Sequence, residues 1–288
     1  MSKTLMALAV AGLLVSAVQA HTPAMRPADP APVIAAERAF AARAAVVGIA
    51  PSFLEYMSDQ AIVFGPDPTN AKAFYSARPP GKAPKDGGTL LAWWPNFAGL
   101  ARSGDLGFTT GPASVNGGKP DVVYVTIWAR QADGGWKWIF DGGIEADGAG
   151  APGPAAQPIA LPPGDTAPMT PARAWSEVSA AERRIAGLAG TDAATALKAA
   201  LAPNAWVQGS KAAPATTAAA VDRELATRAR TIAFSPLGGG ASKAGDLVWT
   251  YGDARWKVGR GHYVRVWQRR AGKWALVFDQ IIEVETPA

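Results

Sequence analysis

From residue 33 onward the chain moves between two hydrophobic periods. Stretches 33–47 and 51–59 carry apolar residues three and four apart and predict helices. Residues 61–65 predict a short strand and 71–77 a short helix. Four stretches near 89–101, 105–115, 121–131 and 136–144 then read as strands. Asn116-Gly117 and Asp133-Gly134-Gly135 supply turn signals between them. A second half repeats the plan. Residues 171–188 and 192–201 predict helices, 206–209 a strand and 215–228 a helix. Strands follow near 231–243, 247–253, 256–270 and 274–285. Helices that precede a run of antiparallel strands predict an α+β class.

Short identities support a duplication. Ala35-Ala36-Glu37-Arg38 matches Ala180-Ala181-Glu182-Arg183, and Gly104-Asp105-Leu106 matches Gly245-Asp246-Leu247. Tyr124 to Trp128 aligns with Tyr263 to Trp267, and Phe140-Asp141 with Phe278-Asp279. The expected division is a signal segment over 1–20, a flexible N-terminus over 21–32, a first domain over 33–145, a Pro/Gly/Ala-rich linker over 146–170 and a second domain over 171–286. The linker assignment rests on crowded Pro and Gly without either period.

Residues 1–20 carry Lys3, an apolar run and the small-residue end Val18-Gln19-Ala20, the pattern of a secretory signal cut after Ala20. That predicts a periplasmic or secreted protein with no membrane segment in its mature form. The chain has no cysteine and only two histidines, so thiolate chemistry and a three-histidine metal site are excluded. A net charge of +5, scattered among acids rather than gathered in a block, points away from nucleic acid. No phosphate-binding loop, dinucleotide fingerprint or zincin helix is present, and neither a cofactor nor a metal is expected.

Three segments carry a resemblance. Leu91-Ala92-Trp93-Trp94-Pro95, the run Ser103 to Gly111 and Trp136 to Asp141 resemble the DUF4440 branch of the NTF2-like (SnoaL-like, ketosteroid-isomerase-like) proteins. The second half keeps Ser235-Pro236, Gly245-Asp246-Leu247 and Gly261 to Trp267, but has Ser235 in place of Trp94. The resemblance implies two cones, each with N-terminal helices packed on a curved, mainly antiparallel sheet. It says little of chemistry, because this fold hosts isomerases, cyclases, dehydratases and binding modules.

Three side chains are candidates for proton transfer: Asp59 before the first strand, Asp141 near the end of the last strand of the first half, and His262. Alternation puts Asp141 on the face of Lys137 and Ile139, which also suits an outward, salt-bridged residue. Phe53, Phe64, Trp93, Trp94, Phe97 and Trp206 are the candidate pocket lining, with ordinary core packing as the plainer alternative. Asp105 and Asp246 read as turn residues that accept local backbone N–H groups. In 124–128, Val125 and Ile127 share one face and Tyr124, Thr126 and Trp128 the other. The aliphatic face is expected to meet the helices, with His262 on that same side. The aromatic faces are then expected to pair the two halves sheet to sheet, as an internal pseudo-dimer.

The functional expectation is a small apolar or amphipathic ligand bound in one cone by a non-catalytic or accessory module. One alternative is a cofactor-independent isomerase, dehydratase or hydrolase. Another is a structural pseudo-dimer whose second pocket has degenerated, motivated by Ser235 and by Pro203, which stands where the first half has Asp59.

Overall fold

The computed structural model describes residues 28–284, so the signal segment and its cleavage point lie outside the described residues. The first half opens with α1 (Ala31–Val47) and α2 (Ile49–Tyr56), followed by β1 (Met57–Phe64), β2 (Pro68–Asn70) and α3 (Ala71–Ser76). Next come β3 (Leu91–Trp93), β4 (Phe97–Leu100), β5 (Leu106–Val115), β6 (Val122–Arg130) and β7 (Trp136–Glu145). Helix α1 starts with Pro32 in its first turn, where the missing N–H costs nothing. Asn70 accepts from the Ala73 N–H and caps α3. The helix expected over 51–59 stops earlier, at Tyr56, and Met57 already belongs to β1. The strand expected over 89–101 is cut in two at Trp94-Pro95-Asn96. Residues 31–32, expected to be flexible, are already helical, and Ala28 is buried.

Strand β8 (Ile159–Ala160) then precedes α4 (Pro171–Lys198), β9 (Leu201–Gln208), α5 (Ala218–Thr227), β10 (Ala233–Ala241), β11 (Leu247–Trp256), β12 (Gly259–Arg270) and β13 (Lys273–Val284). Helix α4 spans both helices expected from the pattern. It breaks at Asp192, whose backbone leaves the helical region and whose carboxylate accepts from the Thr195 N–H. The chain is α+β, and the two halves build separate sheets. One runs β2-β1-β7-β6-β5-β4-β8 with β3 also on β5, and the other runs β10-β11-β12-β13-β9. In both, the first long strand returns parallel to the last, β1 on β7 and β9 on β13. Residues 146–170 do not hang free. Strand β8 pairs parallel with β4, and Leu161 is buried in the core.

The sides of the sheets are reversed from the expectation. Trp128 and Trp93 turn toward α1, where both donate to Glu37. Phe108, Val125 and Ile127 turn the other way, into a core shared with the second half. There Phe97 stacks on Trp206 with ring centroids 4.9 Å apart, and Phe108 and Phe140 approach Phe278 and Trp249 at 6.0 Å. The physical reason is Glu37. A buried acid on the helix demands N–H and O–H donors, and only the aromatic and Thr face of the sheet carries them. The aliphatic faces are left to bury against each other.

Two turns brace the halves reciprocally. The Asp246 carboxylate accepts the Arg102 N–H at 3.0 Å, and the Asp105 carboxylate accepts the Lys243 N–H at 3.1 Å. Gly104 and Gly245 both hold the left-handed backbone these turns require (φ +66° and +64°).

Candidate functional site

Helix α1 buries Val33, Glu37, Phe40 and Ala44, so Glu37 sits in the middle of an apolar stripe. Its carboxylate accepts from Trp93 Nε1 at 2.6 Å, Trp128 Nε1 at 2.8 Å and the Thr109 hydroxyl. Burial nevertheless pushes this acid above its usual range, against those hydrogen bonds.

Asp141 reaches the same interior through an irregularity in β7. Ile127 pairs with Phe140 and Trp128 with Trp138, so Ile139 is an extra, unpaired residue. The bulge puts Phe140 on the face between the halves and returns Asp141 to the face of Thr126 and Trp128. Strict alternation grouped Asp141 with Lys137 and Ile139, and the bulge overturns that grouping. Thr126 donates to the Asp141 carboxyl at 2.9 Å. Burial pushes that carboxyl well above the usual carboxylate range, and the Glu37 charge pushes the same way. The Thr126 bond only partly offsets them.

Asp141 opens on a cavity of about 290 Å³ whose walls include Phe53, Phe74, Tyr75, Trp93 and Tyr124. Burial raises both tyrosines. Asp141 adds to Tyr75 as its next largest cause, and Glu37 to Tyr124. Tyr124 Oη makes no hydrogen bond among the described residues. The cavity is therefore largely apolar, with one carboxyl that burial shifts upward and two phenol hydroxyls on its wall.

The second half has the same parts and a different interior. Glu182 on α4 accepts from Thr250 at 2.6 Å and Trp267 Nε1 at 2.8 Å, as Glu37 does from Thr109 and Trp128. Val277 is the unpaired residue of β13, and it delivers Asp279 to the interior as Ile139 delivers Asp141. The register position of Thr126, however, holds Arg265. That guanidinium bonds Glu182 at 2.6 Å and Asp279 at 2.7 Å, and it lies over the rings of Tyr263 and Phe234. Arg228 closes on the other Asp279 oxygen at 2.6 Å. Burial alone would raise Asp279, but the two arginines hold it below the usual range. A cavity on this side, beside Arg228 and Ile281, has about 110 Å³.

Of the expected residues, Asp141, Phe53, Phe64 and Trp93 meet at the larger cavity. The rest lie elsewhere. Asp59 is exposed and paired with Lys72 at 2.8 Å, which holds its carboxyl below the usual range. Trp94 points away and donates Nε1 to the Pro152 carbonyl at 2.7 Å. Phe97 and Trp206 stack between the halves. His262 is buried between the halves rather than beside a cone. Its ring sits 4.8 Å from Phe64, and Nδ1 lies 2.9 Å from the Asp253 carboxylate. Sequence reasoning missed Glu37, Thr126, Tyr75 and Tyr124. The signal for Glu37 was present: an acid inside an apolar helical stripe, repeated as Glu182 between Val178 and Ile185.

No family model and no curated protein matches the chain. Among solved structures it is similar to a cystatin-like-fold protein of unknown function from Nostoc punctiforme, with 14% identity over 42% of this chain and 97% of that one, TM-score 0.35. An NTF2-like protein of unknown function from Pseudomonas putida shares 14% identity over 39% of this chain and 88% of its own, TM-score 0.34. A ketosteroid isomerase-like protein from Erwinia carotovora atroseptica shares 10% over 38% and 96%, TM-score 0.34. The structural neighbours are thus NTF2-like, cystatin-like and ketosteroid-isomerase-like proteins.

Proposed function

We propose that this is an exported tandem NTF2-like protein that binds one small apolar or amphipathic molecule in the cone of its first half. The observation that carries the reading is the pairing of an apolar cavity of about 290 Å³ with the Asp141 carboxyl on its wall. Sites of this kind use few polar groups to orient an otherwise apolar ligand. A carboxyl that keeps its proton donates to an acceptor oxygen, and the Tyr75 and Tyr124 hydroxyls add two further donors. The ligand is then an uncharged molecule with a carbonyl or hydroxyl at one end. The pseudo-dimer belongs to the same reading. The second half, its interior filled by Arg265, serves as the fixed partner on which the first half packs. Export rests on the pattern of residues 1–20; among the described residues no helix is long and apolar enough to cross a membrane.

Calorimetric titration with 2-tetralone, an apolar ketone, tests the binding. One saturable site per chain is expected. Thr126→Arg, which copies the second half, is expected to abolish it. Binding that survives this substitution unchanged would place the ligand elsewhere and end the reading.

A second reading is favoured by the same raised carboxyl: Asp141 shuttles a proton on the bound molecule. Deuterium uptake at the ketone's α-carbon that disappears in Asp141→Asn would establish it. Uptake at the uncatalysed rate would leave a binding module.

A further inference from the structure

A second cavity, of about 260 Å³, lies where the linker crosses between the halves. Asn96, Pro112, Pro152, Ile159, Trp206 and Pro214 are among its walls. It shares no lining residue with the cone cavity. Three features say what it takes. First, Asn96 is only 6% exposed, and its carboxamide makes no hydrogen bond to any described residue. Its backbone is fully used, with N–H to the Thr110 carbonyl and C=O to the Ile159 N–H, so only the side chain is unspent. An amide with no protein partner on a cavity wall is open to one that a ligand supplies.

Second, Trp206 is fixed. Its ring lies 4.9 Å from Phe97 with an interplanar angle of 6°, which holds a flat aromatic surface at the cavity. Ile159, 61% exposed, leaves a large apolar side chain at the rim. Third, the site has no uncompensated charge. The one carboxylate on its wall, Asp147, is paired with Lys119 at 3.1 Å and accepts the Ala149 N–H.

We propose that this cavity is a second binding site, for a small uncharged planar molecule that carries a cyclic amide edge. The Asn96 carboxamide offers one donor and one acceptor side by side, the complement of a lactam N–H and C=O. The proline, isoleucine and tryptophan walls take the flat apolar body. The linker forms one side of the site, so the site exists only while 146–160 is packed against both halves.

The probe is 2-quinolone, a planar bicyclic lactam, titrated against the full chain by protein-observed NMR. Naphthalene, the same shape without the amide, is the control. Saturable 2-quinolone binding is expected, weakened about tenfold or more by Asn96→Leu with naphthalene little affected. Should Asn96→Leu fail to fold, Ala213→Trp plugs the rim from an exposed position and is expected to abolish binding. No 2-quinolone binding overturns the proposal. So does binding that neither variant weakens, or binding that Thr126→Arg in the cone removes and Ala213→Trp does not.

Discussion

Thr126 and Arg265 occupy one register position in the two halves, and a hydroxyl or a guanidinium there sets what each interior contains. In the second half the arginine neutralises two acids and fills the space between them. In the first half the threonine satisfies one oxygen of Asp141 and leaves room. Breaking a buried ion network by removing one member strands the others. Arg265→Thr is therefore expected to cost about 3–5 kcal/mol in chemical denaturation, more than a surface arginine by far. Asp141 behaves in the opposite sense. Its folded-state pKa is raised, so its contribution to stability is fully present below the ordinary carboxylate range and is lost as pH rises toward the raised value. Asp141→Asn is expected to raise Tm by about 2–5 °C at pH 8, with the gain closing as the pH approaches 4. An equal gain at both pH values would show that the carboxyl is not the source.

At the scale of elements, α1 carries the argument. Its buried stripe is Val33, Glu37, Phe40 and Ala44, and the acid within it decides which sheet face the helix accepts. Glu37→Leu keeps the stripe apolar but leaves Trp93 Nε1, Trp128 Nε1 and the Thr109 hydroxyl without an acceptor. A loss of about 2–4 kcal/mol is expected, and Glu37→Gln, which retains one acceptor, is expected to lose less. This is also where the sequence was readable and then was not. Period and turn chemistry located the helices, the hairpins and the duplication, because those signals are local. Alternation then grouped Tyr124, Thr126 and Trp128 on the face expected to pair the two halves, and gave the aliphatic face to the helices. Nothing local reveals that a helix elsewhere brings an acid that needs them. The bulges at Ile139 and Val277 were equally hidden, since one extra residue changes no period long enough to notice. Asp141 could be named as a candidate, but the face it occupies could not. The same blindness applied to the second pocket. Ser235 and Pro203 drew suspicion, whereas the residue that fills the interior is Arg265, inside a motif whose Tyr, Val and Trp positions both halves share.

On the scale of the whole molecule, one apolar core crosses from sheet to sheet. Phe97, Phe108 and Phe140 of the first half and Trp206, Trp249 and Phe278 of the second bury one another. Two halves joined this way share their stability. Thermal unfolding is expected as a single transition whose calorimetric and van't Hoff enthalpies agree. Two resolved transitions would show that the shared core contributes little. Phe108→Ala, at a residue that lines neither cavity, is expected to lower the stability of both halves together by about 3–5 kcal/mol.

The short strand β8 has a further consequence. An open sheet presents a row of unpaired backbone groups at its margin, and such margins recruit other chains. By laying Ile159-Ala160 along β4, the connecting segment occupies the margin next to the junction with its own backbone. At the opposite sheet, β10 carries Pro236 and a register shift just beyond it, so a regular partner strand finds no continuous ladder there. The connecting segment thus covers the β4 margin as well as joining the two halves, and lengthening or cutting it is expected to expose that margin as well as loosen the joint.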